Sequence, residues 1–161
     1  MKPITAEAVQ KEIDHIKGQT TKEKLLTVKC FGNFEIFHQG KPVQFGRSRA
    51  KELFAYLIDL KGASANTAEI CAVLWEDSEE AEKNRHYFRN LVAELKRVLQ
   101  ECHAEEVFIS RRNFFAIDVE RVDCDYYKYL EHDQTAINSY HGKYMDQYSW
   151  AEMTAGGLKQ K

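Results

Sequence analysis

The sequence predicts an α+β fold: an N-terminal antiparallel sheet, three helices and a C-terminal β-hairpin, with further helices flanking the unit on both sides. Three observations carry this. Apolar residues recur at period two over residues 25–45, and at the three-and-four spacing of a helix over residues 50–99. Two short apolar runs then flank a basic turn at Ser110-Arg111-Arg112-Asn113.

Each element has its own signal. Leu26, Val28 and Cys30 alternate with Thr27 and Lys29, which predicts a first strand. Gly32-Asn33 marks a turn, and Phe34 and Ile36 lead a second strand to His38. Gln39-Gly40-Lys41-Pro42 reads as a turn and Val43-Gln44-Phe45 as a short third strand. Gly46 punctuates the switch to helix. Ala50, Leu53, Leu57 and Leu60, joined by Phe54 and Ile58, form a wide apolar stripe that Gly62 closes. Asn66, with Glu69 three residues on, predicts a capping box opening a second helix, buried through Ile70, Val73, Leu74 and Trp75. Asp77 or Ser78 is placed to cap a third, long helix.

That third helix reads KNRHYFRNLVAELKRVL over residues 83–99. Phe88, Leu91, Val92, Leu95, Val98 and Leu99 fall on one stripe, while Lys83, Arg85, His86, Arg89, Asn90, Lys96 and Arg97 fall outside it. A helix that packs by one face and shows Arg, Asn and Lys on the other has the form of a major-groove reader; a core helix with a solvated charged face has the same pattern. The order strands, helices, hairpin is that of a winged helix-turn-helix. On that reading Arg85, His86, Arg89 and Asn90 face double-stranded DNA, with Arg89 suited to guanine and Asn90 to adenine. Lys96 and Arg97 are better placed for phosphate, and Arg111 and Arg112 at the hairpin tip for the flanking backbone or minor groove. Arg47 and Arg49 open the first helix, where backbone amides plus arginine can hold phosphate.

Composition narrows the alternatives. A chain of 161 residues with 43% hydrophobic and 30% charged content has enough of both for one domain with a real core. The net charge of −2 argues against indiscriminate nucleic-acid binding and leaves a local basic patch open. Glu76, Asp77, Glu79, Glu80 and Glu82 precede the bases of the third helix, as the helix dipole favours. No apolar run approaches the roughly 20 residues of a membrane span, and residues 1–17 hold no apolar core of a secretory signal, so a cytoplasmic, non-membrane protein is expected. Cys30, Cys71, Cys102 and Cys124 form no CxxC pair and read as free thiols in a reducing compartment; the six histidines have no ligand spacing, so no metal is expected. No Gly-rich phosphate loop or nucleophile motif occurs, so neither cofactor nor enzymatic activity is expected. After residue 122 the pattern returns to helix through Tyr126, Tyr127 and Leu130, then Ala136, Ile137 and Tyr140. Trp75 and Trp150 read as core anchors. The tyrosines at 126, 127, 129, 140, 144 and 148 pack the C-terminal helices on this reading, some of them lying open.

Residues 25–118, through GNFEIFHQGKPVQF, RAKELFAYLIDLKG, NTAEICAVLW and NxxxFRNLVAELKRVL, resemble the winged-helix effector domain of OmpR/PhoB-type response regulators. The variant looks closest to SARP-like transcriptional activators. DCDYYKYL and YHGKYMDQYSWAEM in residues 119–161 resemble the opening helices of the tetratricopeptide-like bacterial transcriptional activation domain that follows in that family. Residues 1–17, with Lys2-Pro3 before a helix carrying Val9, Ile13 and Ile16, resemble the end of a receiver domain, and 18–24 a linker. The resemblance implies a transcription regulator of a two-component system that binds paired half-sites as a homodimer, with RNA polymerase as a further candidate partner. Where relatives often carry arginine, this chain has Ala93 and Glu94, which weakens the phosphate clamp. The competing reading is a protein-interaction module on a winged-helix scaffold without DNA binding. A continuous positive face on the third helix and hairpin favours DNA; a face neutralised by acids favours a protein.

Overall fold

The computed structural model describes residues 22–76 and 80–158. The helix expected over residues 1–17, the first part of the 18–24 linker, and the capping residues Asp77 and Ser78 lie outside the described residues. Strands β1 (Leu26–Lys29), β2 (Glu35–His38) and β3 (Lys41–Pro42) form the expected meander, with Val28 opposite Ile36 and Phe37 opposite Pro42. The third strand sits two residues earlier than its alternation suggested. Gln39 (φ 51°) and Gly40 (φ 79°) both take left-handed backbone, so a two-residue turn closes the hairpin and Lys41 and Pro42 pair at once. Val43 still donates to the Ile36 carbonyl at 2.9 Å.

Three helices follow. Helix α1 (Ser48–Asp59) buries Ala50, Leu53, Phe54, Ala55, Leu57 and Ile58, and ends where Lys61 (φ 57°) and Gly62 (φ 94°) turn left-handed. Helix α2 (Thr67–Leu74) opens on the expected box. Asn66 Oδ1 accepts the Glu69 N–H at 2.9 Å, and Glu69 Oε1 accepts the Asn66 N–H at 3.0 Å. Helix α3 (Ala81–Glu101) packs on both, burying Phe88, Leu91, Leu95, Val98 and Leu99 as its period dictates. The hairpin β4 (Phe108–Arg111) and β5 (Phe114–Ile117) then returns across the bundle, and Ala65 exchanges backbone hydrogen bonds of 2.9 and 3.0 Å with Phe115.

The sheet is mixed rather than antiparallel. Residues expected to begin a helix instead form β6 (Val122–Cys124), which pairs parallel with β1: Leu26 opposite Val122, Val28 opposite Cys124. The strand order is β3-β2-β1-β6. Val122 and Cys124 are buried with Asp123 between them, a period-two pattern too short to separate from a helix start. Parallel pairing needs a long crossover, here the whole helical unit, so no local turn announces it.

Helices α4 (Asp125–Leu130), α5 (Gln134–Ser139) and α6 (Glu152–Leu158) complete the described chain. Asp125 ties β6 to β1, its carboxylate accepting the Cys30 and Phe31 N–H groups at 2.7 and 3.1 Å. Tyr126, Tyr129, Tyr144, Met145, Ala151 and Leu158 join the core of the helical unit. The tyrosine-rich end is closed rather than open: Tyr126, Tyr129 and Tyr144 are buried, and Tyr127, Tyr140 and Tyr148 half-buried. Trp75 and Trp150 are half-buried also; the Trp150 indole N–H donates to Glu52 at 2.8 Å. No helix among the described residues is long and apolar enough to cross a membrane.

Candidate nucleic-acid interface

The stripe that buries Leu91 and Leu95 turns the opposite face of α3 to solvent. Arg85, His86, Arg89 and Lys96 are exposed on it, and Asn90 is half-buried. Arg85 and Arg89 stand on the flank nearest the hairpin. Together with Arg111 and Arg112 they line a cleft of about 650 Å³ between α3 and β4–β5, whose floor is Phe88, Val92 and Phe115. Four of the ten residues singled out in the sequence thus converge. None of the four arginines is ion-paired among the described residues. The positive charge of Arg85 reaches into the domain and partly offsets the burial that raises the Cys71 thiol.

The hairpin side of the cleft is rigid. Arg112 and Asn113 make its two-residue turn, with Asn113 at φ 52°. The Asn113 side-chain oxygen accepts the Thr67 N–H at 3.0 Å, pinning the tip to the start of α2. Thr67, Ser110 and Asn113 also belong to the cleft; of these only Asn113 carries a signal in the sequence, as a turn residue able to adopt left-handed backbone.

Three other predicted residues lie elsewhere. Arg49 is exposed but engaged: its guanidinium donates to the Leu74 carbonyl at 2.6 Å and to Glu52 at 2.9 Å, and lies 5.9 Å from the Trp75 ring centroid. It locks the end of α2 to α1. Arg97 is held by Glu94 and Glu101, one helical turn to either side, which raises its pKa. Arg47 is exposed at the N-cap of α1, apart from the cleft. Glu94 stays off the solvent face. It is half-buried against the turn before α1, where a Cβ on Gly46 would come within 2.5 Å of its Oε2. The residue at the centre of the exposed face is then Ala93.

A cleft with four guanidinium groups, each carrying five donors in a fixed fork, can hold phosphate oxygens from two sides. Away from it, Cys30, Cys124 and Asp125 bring their ligating atoms within 4.8 Å of one another. Burial and a 3.6 Å contact with the Cys124 sulfur push the Cys30 thiol well up, and the Asp125 carboxylate is engaged by three backbone N–H groups. That cluster reads as packing and capping at the β1–β6 seam.

A three-helix unit with a hairpin fixed beside its last helix defines the winged-helix class. Among solved structures the chain is similar to Mycobacterium tuberculosis EmbR, determined in complex with a low affinity phosphopeptide. The TM-score is 0.67 at 15% identity, over 86% of this chain and 42% of that one. The likeness is one of fold, and the chain spans less than half the length of that structure. No family model matches the chain, and no curated protein does.

Proposed function

We propose that this protein is a sequence-specific DNA-binding transcription regulator that sets α3 in the major groove and rests the hairpin tip on the adjoining backbone. The four-arginine cleft between α3 and the hairpin, with no ion pair among the described residues, carries this reading. It is the arrangement that grips a duplex from two sides of one phosphate strand, with α3 free to read base edges. Arg89 and His86 contact bases, Arg85, Arg111 and Arg112 contact phosphate, and Asn90 and Lys96 extend the footprint along α3. On the motifs quoted above, the reading extends to a SARP-like response regulator with residues 119–161 as the start of its activation domain. It acts as a homodimer on paired half-sites, in the cytoplasm and without a cofactor.

The test is selection from a random duplex library, followed by anisotropy titration of the enriched sequence. Arg89→Ala should weaken binding by about 1–3 kcal/mol and relax preference at one position. Affinity of the wild type should fall steeply between about 50 and 200 mM salt as phosphate contacts release counterions. No enrichment by folded, monodisperse protein would sink the reading. It would favour the protein-interaction module, for which the neutralisation of Arg97 by Glu94 and Glu101 speaks.

A further inference from the structure

The hairpin carries three phenylalanines in two kinds of place. Phe108 and Phe115 are buried, stacked with centroids 6.3 Å apart, and Phe115 meets Phe88 of α3 edge-on at 5.2 Å. Phe114 is 43% exposed. Strand alternation puts it on the face opposite Phe115, and register puts it directly across from Arg111, beside the Arg112–Asn113 turn. Its exposure does not come from a loose loop. Its neighbour Phe115 is bonded at both backbone groups to Ala65, and Asn113 is pinned to Thr67, so the ring is held outward by a fixed frame.

We propose that Phe114 is an apolar wedge that enters the minor groove beside the site gripped by α3, partly unstacking one base step and bending the duplex. The inference rests on the DNA-binding reading above. Arg111 and Arg112 bring the backbone to the tip, and a rigid aromatic ring next to them is the side chain that gains most from sliding between bases. Phenylalanine has no polar atom to leave unpaired between the bases, and the cost of unstacking is offset by the extra contact that the bend permits. The wedge selects flanks with easily unstacked pyrimidine–purine steps, giving sequence preference at positions that α3 never touches.

The experiment uses the full chain and the duplex enriched by the wild type from a random library, with 2-aminopurine placed in turn at each flanking position. Wild type should brighten the probe at one step and bend the duplex in a donor–acceptor end-to-end measurement. Phe114→Ala should lose both signals and about 10-fold in affinity. Phe114→Leu should keep them, because an aliphatic wedge still fits. Arg89→Ala, at saturating protein, should keep both while lowering affinity. Thermal melting checks that each variant folds. If Phe114→Ala binds, brightens and bends as the wild type does, the wedge is wrong and the regulator stands. If it changes self-association and leaves the DNA signals intact, the ring belongs to a protein contact and the wedge is equally wrong. If no duplex is enriched at all, both readings fall together.

Discussion

Arg97 and Arg89 carry the same charge on the same helix, two turns apart, and their neighbours separate their roles. Arg97 spends its donors on Glu94 and Glu101, whereas Arg89 opens into the cleft. Three of the five Arg97 N–H groups already meet carboxylates, and the two acids offset its charge, so it adds little to the field that draws a phosphate to this face. Arg97→Ala should therefore leave DNA affinity within about 2-fold, while Arg85→Ala lowers it by about 10-fold and reduces the salt slope by about one. Equal losses in the two titrations would show that the ion pairs dissolve on binding. Part of this was legible in the sequence, since Glu94, Arg97 and Glu101 stand at three-and-four spacing. That Glu94 turns back to Gly46, clearing the exposed face, was not. It depends on a contact between residues 48 positions apart that no periodicity encodes.

At the scale of elements, amphipathic period and caps spoke clearly and pairing did not. The stripes of α1 and α3, the Asn66–Glu69 box and the basic-tipped hairpin stand where the residues indicated. In the sequence β6 has the look of a helix start, because three residues of alternation are outweighed by the tyrosine-rich helix that follows and its partner strand is almost a hundred residues away. The box at α2 has a consequence for the site. The Thr67 N–H that it positions is the donor that holds Asn113. Asn66→Ala should cost about 1 kcal/mol, a drop of roughly 2–4 °C in Tm for a domain of this size. It should also loosen the hairpin tip, seen as faster amide exchange at Asn113 and Phe114. Unchanged exchange there would uncouple α2 from the hairpin.

For the molecule as a whole, the C-terminal tyrosines set the alkaline limit of stability. The Tyr127 hydroxyl donates to the Ile58 carbonyl at 2.6 Å, and the Tyr144 hydroxyl to Asp59 at 2.6 Å. Burial raises both phenols far above the ordinary tyrosine range, raises Tyr148 as well, and pushes Tyr126 up to about 12. The folded values exceed the unfolded one near 10, so the stabilisation is complete below pH 10 and is lost as pH rises through the folded values. Thermal melts should be flat between pH 7 and about 9.5, then fall by about 1.4 kcal/mol per pH unit for each tyrosine kept neutral. Tyr144→Phe should flatten that fall while lowering stability at neutral pH, through loss of its bond to Asp59.

The β1–β6 seam also fixes how the unit sits in a longer polypeptide. Leu26, at its entry, and Val122, near its exit, lie side by side and run in the same direction. A pull applied to the two ends therefore loads a three-residue parallel ladder and its Asp125 clasp, together with the bonds from Tyr127, Tyr144 and Trp150 to α1. None of these bonds lies in the arginine cleft. Strain between segments on either side of the seam is met first by the ladder and by these three bonds, at a distance in the chain from the residues that line the cleft.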